Sequence, residues 1–293
     1  MSPMRLKQDQ IDRFWRDGCL VVENAVSAQQ LAAINAELQS WVEESRQHTS
    51  PFGPLTIDER PRFDMGAEHS ADRPALRRVN NPAEISPAYM EVMRDSAMVD
   101  MVADLIGPDV KYHHCKLNIK LPGAQTRVHF HQDFMYTPHT NDDIVTALLM
   151  LEDVDETNGC LMIVPGSHRG PLDSLFADGV FTGMVADARA SELTAAQVPA
   201  MGKAGSVCLM HTRLQHASEP NAGSRARPLY ICVYSAADAV PIARNPMPSP
   251  HEGMIVRGRP SASARMVDLQ VELPKQPKSA SFFTVQGQAS VEA

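Results

Sequence analysis

Residues 129–139 read HFHQDFMYTPH, three histidines and one aspartate within eleven positions. Successive side chains of a β-strand alternate between its two faces. His129, His131 and Asp133 would therefore share one face, with Gln132 on the other. The H-x-D pair of His131 and Asp133 could hold a single metal ion side by side. A third ligand would have to come from a distant strand, and two histidines qualify, His211 and His216, both within GSVCLMHTRLQHASEPNAGSRARPLYICVYSA (205–236). His211 ends an apolar run. His216 opens a turn that leads, eleven residues later, to Arg227 at the start of the next run. An inward-facing arginine beside a metal is a fixed, bidentate clamp for a carboxylate. Two histidines and one carboxylate leave three positions of an octahedral ion open, the arrangement of non-haem Fe(II) oxygenases. Such an ion could take a 2-oxo acid through two oxygens and still accept O₂, while the arginine gripped the far carboxylate.

The elements that must position these residues fall into two regions. Residues 1–108 read as helical. Ile11, Phe14 and Trp15 share a helical face that ends at Gly18, and CLVVE (19–23) follows as a short strand. Ser27 with Gln30 forms a capping box ahead of Leu31, Ile34, Leu38, Trp41 and Val42, a helix expected to run to about residue 45. Residues 45–82, rich in Pro, Gly and charge, read as a long loop carrying Arg60, Arg62, Arg73, Arg77 and Arg78. Helix resumes at Ser86–Pro87 and stops before Gly107–Pro108. From 109 to 240 the pattern is of short strands, near 111–121, 127–135, 143–154, 159–164, 205–211 and 227–236, with a loop-rich excursion over 165–195. Strands in succession without long helices between them predict a sandwich or barrel. An extension, 241–293, follows, with a weakly ordered tail from about residue 275. No repeat or linker divides the chain, so one domain over 1–293 is expected.

Composition narrows the class further. Hydrophobic residues make up 43% and charged residues 21%, ordinary for a globular chain, and the formal charge is −8 from 27 basic and 35 acidic residues. No basic cluster suggests a nucleic-acid footprint. No apolar run is long enough to span a bilayer, and the N-terminus lacks a secretory h-region. The five cysteines are scattered and odd in number, which suits buried free thiols and a cytoplasmic location.

The segments HQD (131–133), NGCLMIVPGSHRG (158–170) and HASEPNAGSRAR (216–227), together with the opening LKQDQIDRFWRDGCLVVENAVSAQQL, resemble the phytanoyl-CoA dioxygenase family over residues 6 to 260. The resemblance implies a mainly β fold with flanking helices, a double-stranded β-helix (jelly roll, cupin-like) core behind N-terminal helices. It implies an Fe(II)- and 2-oxoglutarate-dependent dioxygenase that hydroxylates a small metabolite with O₂, releasing succinate and CO₂. It further implies that His131, Asp133 and His216 are the iron ligands and that Arg227 pairs with the C5 carboxylate of 2-oxoglutarate. Ser218 matches a position that hydrogen-bonds the same carboxylate, and Gln132, Lys116 and Arg78 match positions near the co-substrate in relatives. Some relatives have Trp where this chain has Leu148. In related halogenases a small residue replaces the carboxylate ligand, so Asp133 implies hydroxylation or desaturation instead.

Among the other histidines, only His131 stands two residues before Asp133, and His211 lies eleven before Ala222 rather than an arginine. His168 is expected to stabilise a turn, His139 to be exposed, and one of His113 and His114 to line the cavity. The arginine-bearing loop and residues 166–190 are candidate lids, and arginines there would suit an anionic substrate. A jelly-roll hydrolase or isomerase would share the ligands but leave Arg227 and Ser218 without a reason, and a complete triad plus arginine argues against a non-catalytic metal-binding relative. Oligomeric state, and whether 240–274 covers the barrel mouth or forms a subunit contact, are left open by the sequence.

Overall fold

A computed structural model describes residues 4–275 and Gln286. The N-terminal elements follow their local signals. Helix α1 (Gln8–Asp17) ends at Gly18, whose φ of 80° is the left-handed conformation that glycine adopts without a Cβ clash. A Cβ at Gly18 would also lie 2.4 Å from His168 Nδ1, so the position requires glycine twice over. Strand β1 (Cys19–Val22) follows. Helix α2 (Ala28–Ser45) opens with the capping box, Ser27 and Gln30 each accepting from the other's backbone N–H. Its Ile34, Leu38 and Trp41 are buried, with Trp41 stacked on Tyr89 at 5.0 Å.

Residues 45–82 depart from the expected loop. They form β2 (Phe52–Leu55), β3 (Pro61–Met65) and β4 (Leu76–Asn80), an antiparallel extension of the main sheet. Their arginines disguised them. Buried Arg62 is paired with Glu84 at 2.9 Å, and Arg78 donates to Asn118 Oδ1 at 3.0 Å, so charge that reads as solvent-facing is held inside by specific partners. The single helix expected after Pro87 is two, α3 (Pro87–Asp95) and α4 (Ala97–Ile106), separated by extended Ser96, whose hydroxyl donates to Val92 O.

The core strands are β5 (Val110–Lys120), β6 (Val128–His131), β7 (Ile144–Met150), β8 (Leu161–Ile163), the hairpin β9 (Phe176–Ala177) and β10 (Val180–Phe181), then, after helix α5 (Asp187–Ala196), β11 (Val198–Ala200), β12 (Val207–His211), β13 (His216–Ser218), β14 (Arg227–Ala236) and β15 (Ile255–Arg257). The large sheet runs β1-β12-β7-β14-β5-β4-β3-β2, with β15 also on β5; the small one runs β11-β8-β13-β6. From β5 to β14 the chain passes back and forth between the sheets, the topology of a double-stranded β-helix, or jelly roll. Helices α2, α3 and α4 pack on the outer face of the large sheet over a cluster including Trp41, Tyr89, Met98, Leu117 and Tyr230. The inner faces meet through Leu148, Ile163, Met210, Leu229 and Ile231.

Two further expectations change. The strand expected over 127–135 ends at His131, and residues 133–135 form a 3₁₀ turn. The extension beyond 240 lies against the barrel end. Ile242 N donates to Pro138 O and Val267 N to Thr140 O, and Leu269 and Val271 pack on Phe134 and Ile144. The tail expected to be weakly ordered lies outside the described residues except for Gln286, whose amide bonds His129 N and Gly183 O. All five cysteines are buried and free.

Candidate metal centre and carboxylate clamp

Strands β6 and β13 are antiparallel neighbours in the small sheet, and His131 stands directly opposite His216. Cross-strand partners project to the same face, so the two imidazoles meet, with ring centroids 4.1 Å apart. The 3₁₀ turn swings Asp133 back towards them. Its Oδ1 lies 3.4 Å from His131 Nε2 and 3.6 Å from His216 Nε2. One donor atom from each of the three residues lies within 4.8 Å of the others, and no second His/Cys/Asp/Glu group of this kind occurs among the described residues.

The remaining atoms of each side chain are held so that these three face one another. His131 Nδ1 is 2.8 Å from His129 O and His216 Nδ1 is 2.9 Å from Leu214 O, contacts that place the proton on Nδ1 and turn each Nε2 towards Asp133. Thr146, on β7 of the opposite sheet, donates to Asp133 Oδ2 at 2.7 Å. Burial works against charge on Asp133, but the His216 and His131 rings and Lys116 outweigh it and hold the carboxyl well below its usual range. Burial pushes His216 down to about 4, helped by His131 and opposed by Asp133. Two neutral imidazoles and a carboxylate are the donor set a divalent first-row metal takes, and they converge from one side, leaving further positions to the cavity.

That cavity, about 80 Å³, lies between the sheets and is lined by the triad, by Thr146, Leu148 and Ile231, and at its far end by Lys120, Ser218 and Arg227. Arg227 pairs with Lys120 across β14 and β5. Lys120 Nζ donates to Ser218 Oγ at 2.9 Å and to Glu219 O. Arg227 is 5% exposed, and its Nε has no hydrogen-bond partner among the described residues. Burial lowers the guanidinium to about 10 and, with Arg227 nearby, Lys120 to about 7. A buried cation without an anion is costly. The far end of the cavity therefore presents buried positive charge that favours an anion.

Of the expected co-substrate residues, Ser218 and Lys116 line this cavity together with Arg227. Gln132 does not. It points to the opposite side, as strand alternation requires, and its amide ties down the following loop through Pro171 O, Arg213 O and Asp173 N. Arg78 lies one strand away, bonded to Asn118, and is not among the lining residues. The loop arginines do not reach the cavity either: Arg60 is paired with Asp58, Arg62 with Glu84, and Arg73 is on the surface.

The other histidines have structural partners. His211 Nδ1 accepts from Arg213 N, and its ring packs on Phe14, Trp15 and His168. His168 reaches Trp15 O at 3.2 Å, joining its turn to α1. His139 is buried, not exposed, because Pro241 bridges its backbone and the His113 ring covers it at 5.0 Å. A β-bulge in the β5–β14 pairing leaves His113 unmatched, and both His113 and His114 are buried off the cavity.

Lys120 and Thr146 are the residues the sequence reading missed. Lys120 was findable, being four residues from Lys116 on one strand and so on the same face. Thr146 carries no local signal.

Comparisons with known proteins give the family and the fold. The family profile described as Phytanoyl-CoA dioxygenase (PhyH) matches residues 14–229. A probable alpha-ketoglutarate-dependent hypophosphite dioxygenase of Stutzerimonas stutzeri is 34% identical over 205 residues, 68% of this chain and 71% of that protein. An ectoine dioxygenase of Bordetella bronchiseptica is 30% identical over 170 residues, 56% of this chain and 50% of its own length. In fold, the crystal structure of EctD from S. alaskensis with bound Fe superposes with a TM-score of 0.66 at 21% identity, covering 93% of this chain and 90% of that one. The same protein with 2-oxoglutarate and 5-hydroxyectoine gives 0.63 at 22% identity, covering 94% and 90%.

Proposed function

The chain belongs to the phytanoyl-CoA dioxygenase family and is an Fe(II)- and 2-oxoglutarate-dependent dioxygenase, and we propose that His131, Asp133 and His216 hold its iron while Arg227, Ser218 and Lys120 hold the distal carboxylate of 2-oxoglutarate. The observation that carries this assignment is the pairing, in one cavity, of a converging His–Asp–His set with a buried guanidinium that has no carboxylate partner among the described residues. A hydrolytic or purely structural metal site would account for the first and leave the second unexplained.

When bound, iron and 2-oxoglutarate supply with O₂ the oxidant that converts a substrate C–H to C–OH, with succinate and CO₂ released. The protein's own part is positioning. The Nδ1 contacts to His129 O and Leu214 O fix each imidazole with Nε2 inward, and Thr146 fixes the carboxylate with Oδ1 inward. Arg227 and Ser218 set the depth at which a dicarboxylate lies, and apolar Leu148, Leu229 and Ile231 exclude water from it. Family membership leaves the substrate open beyond its being a small molecule. The two relatives are named for an inorganic anion and for ectoine, and function resides in the site rather than the fold.

The test is Fe(II)-dependent formation of succinate from 2-oxoglutarate under air, which proceeds slowly in such enzymes even without substrate. Wild type should release succinate and CO₂ in equal amounts, and Asp133→Ala should release neither. Iron-loaded wild type that consumes no 2-oxoglutarate would reject the assignment.

A further inference from the structure

We propose that Lys116 is the substrate anchor and that the substrate carries an anionic group, a carboxylate or an oxyanion of phosphorus or sulfur; this rests on the oxygenase reading above. Lys116 lines the same cavity as the triad but at a different level from the clamp. Lys120 pairs with Arg227 across the sheet, whereas Lys116 pairs with Ile231, four residues along each strand. At a rise of about 3.3 Å per residue, the two lysines start about 13 Å apart. Their surroundings differ accordingly. The charged neighbours of Lys116 are Asp133 and Arg78, and those of Lys120 are Arg227, Glu219 and Arg127. Lys116 thus stands at the metal end of the cavity and Lys120 at the clamp end.

Lys120 is hydrogen-bonded to Ser218 and Glu219. Lys116 differs: no hydrogen bond or ion pair to its Nζ occurs among the described residues, although it keeps part of its accessible surface, which faces the cavity. Charge counting identifies the missing partner. A divalent ion held there would be neutralised by Asp133 together with one carboxylate of 2-oxoglutarate, while the other carboxylate would meet both Arg227 and Lys120 at the clamp end. The Lys116 ammonium is then surplus positive charge beside the reacting position, walled by Leu148 and Ile231. In such a low-dielectric setting an anion is attracted far more strongly than in water. The loop arginines cannot supply this charge, since Arg60 and Arg62 are neutralised by Asp58 and Glu84.

The experiment is equilibrium binding under nitrogen to wild type loaded with Fe(II) and 2-oxoglutarate, by calorimetry. The probes are methylphosphonate, isobutyrate and the uncharged isobutyramide. Wild type should bind at least one anion, and at least tenfold more tightly than the amide. Lys116→Met should lose that anion by tenfold or more and Lys116→Arg should recover most of it, while 2-oxoglutarate affinity, read from the visible charge-transfer band, changes less than threefold in both. Lys116 Nζ makes no hydrogen bond among the described residues, so Lys116→Met breaks none and remains interpretable. Wild type that binds neither anion, or Lys116→Met that binds as well as wild type, overturns the proposal. So does an equal loss of 2-oxoglutarate affinity, which would assign Lys116 to the co-substrate. A wild type that forms no 2-oxoglutarate band at all fails one step earlier, at the oxygenase reading.

Discussion

Replacing Arg227 by methionine should move stability and co-substrate affinity in opposite directions. The guanidinium is 5% exposed, has no carboxylate partner among the described residues, and is lowered by burial to about 10. At about 1.4 kcal/mol for each tenfold change in proton affinity, that is about 3 kcal/mol of desolvation left uncompensated in the ligand-free protein. Methionine fills a similar volume without the charge, and such exchanges at buried ions stabilise by about 1–4 kcal/mol. The apo-protein should therefore gain about 1–3 kcal/mol in urea unfolding, with Tm rising by several degrees. Truncating one member of a buried charge pair costs about 2–5 kcal/mol of binding, so the Kd for 2-oxoglutarate should rise between about thirtyfold and several thousandfold. Both quantities are read on the same preparation, stability without ligands and affinity by anaerobic titration with Fe(II) present. An Arg227→Met protein less stable than wild type by more than about 1 kcal/mol would mean that the guanidinium is satisfied in the ligand-free state. An unchanged Kd would mean that the clamp lies elsewhere.

Two further outcomes follow from neighbouring groups. Thr146→Val removes the hydroxyl that holds Asp133 Oδ2 and keeps the side-chain shape. Metal affinity, measured by competition with a chelating indicator, should fall about 10- to 100-fold, and unchanged affinity would show that Asp133 needs no such support. Burial lowers both His114 and His211 to about 3, so each stays neutral in the fold while the unfolded chain takes up a proton near 6.5. Stability is then full above pH 6.5 and declines as pH falls towards 3, by about 2 kcal/mol for each histidine at pH 5. Urea midpoints at pH 7.5, 6 and 5 should decline accordingly, and less steeply in His211→Asn; a flat profile in wild type would contradict the burial argument.

The pairing of His131 with Asp133, and the place of Arg227 at the head of a strand, were legible because both lie on residues whose order along the chain matters more than their exact backbone. Asp133 reaches His131 through a 3₁₀ turn rather than the extended strand expected, and the two-residue spacing gives the same meeting in either case. The choice between His211 and His216 was not settled by spacing on a strand, since β13 is three residues long and has no readable period. Strands β2, β3 and β4 were lost for another reason: Arg62 and Arg78 read as surface charge, and only the tertiary structure supplies the Glu84 and Asn118 that let them be buried. Thr146 acts across the gap between the sheets, a contact without local trace. His139 looked like a loop residue because the segment that covers it begins a hundred residues later, at Pro241.

The most direct measurement is the visible metal-to-ligand charge-transfer band that appears when Fe(II) and 2-oxoglutarate are added to metal-free protein under nitrogen. The band should form in wild type, persist in His211→Ala, whose ring packs against α1, and be absent in His216→Ala, whose Nε2 faces Asp133. A band that survives loss of His216, or a folded, metal-loaded wild type that gives none, would contradict the assignment of this cavity as the iron and 2-oxoglutarate site.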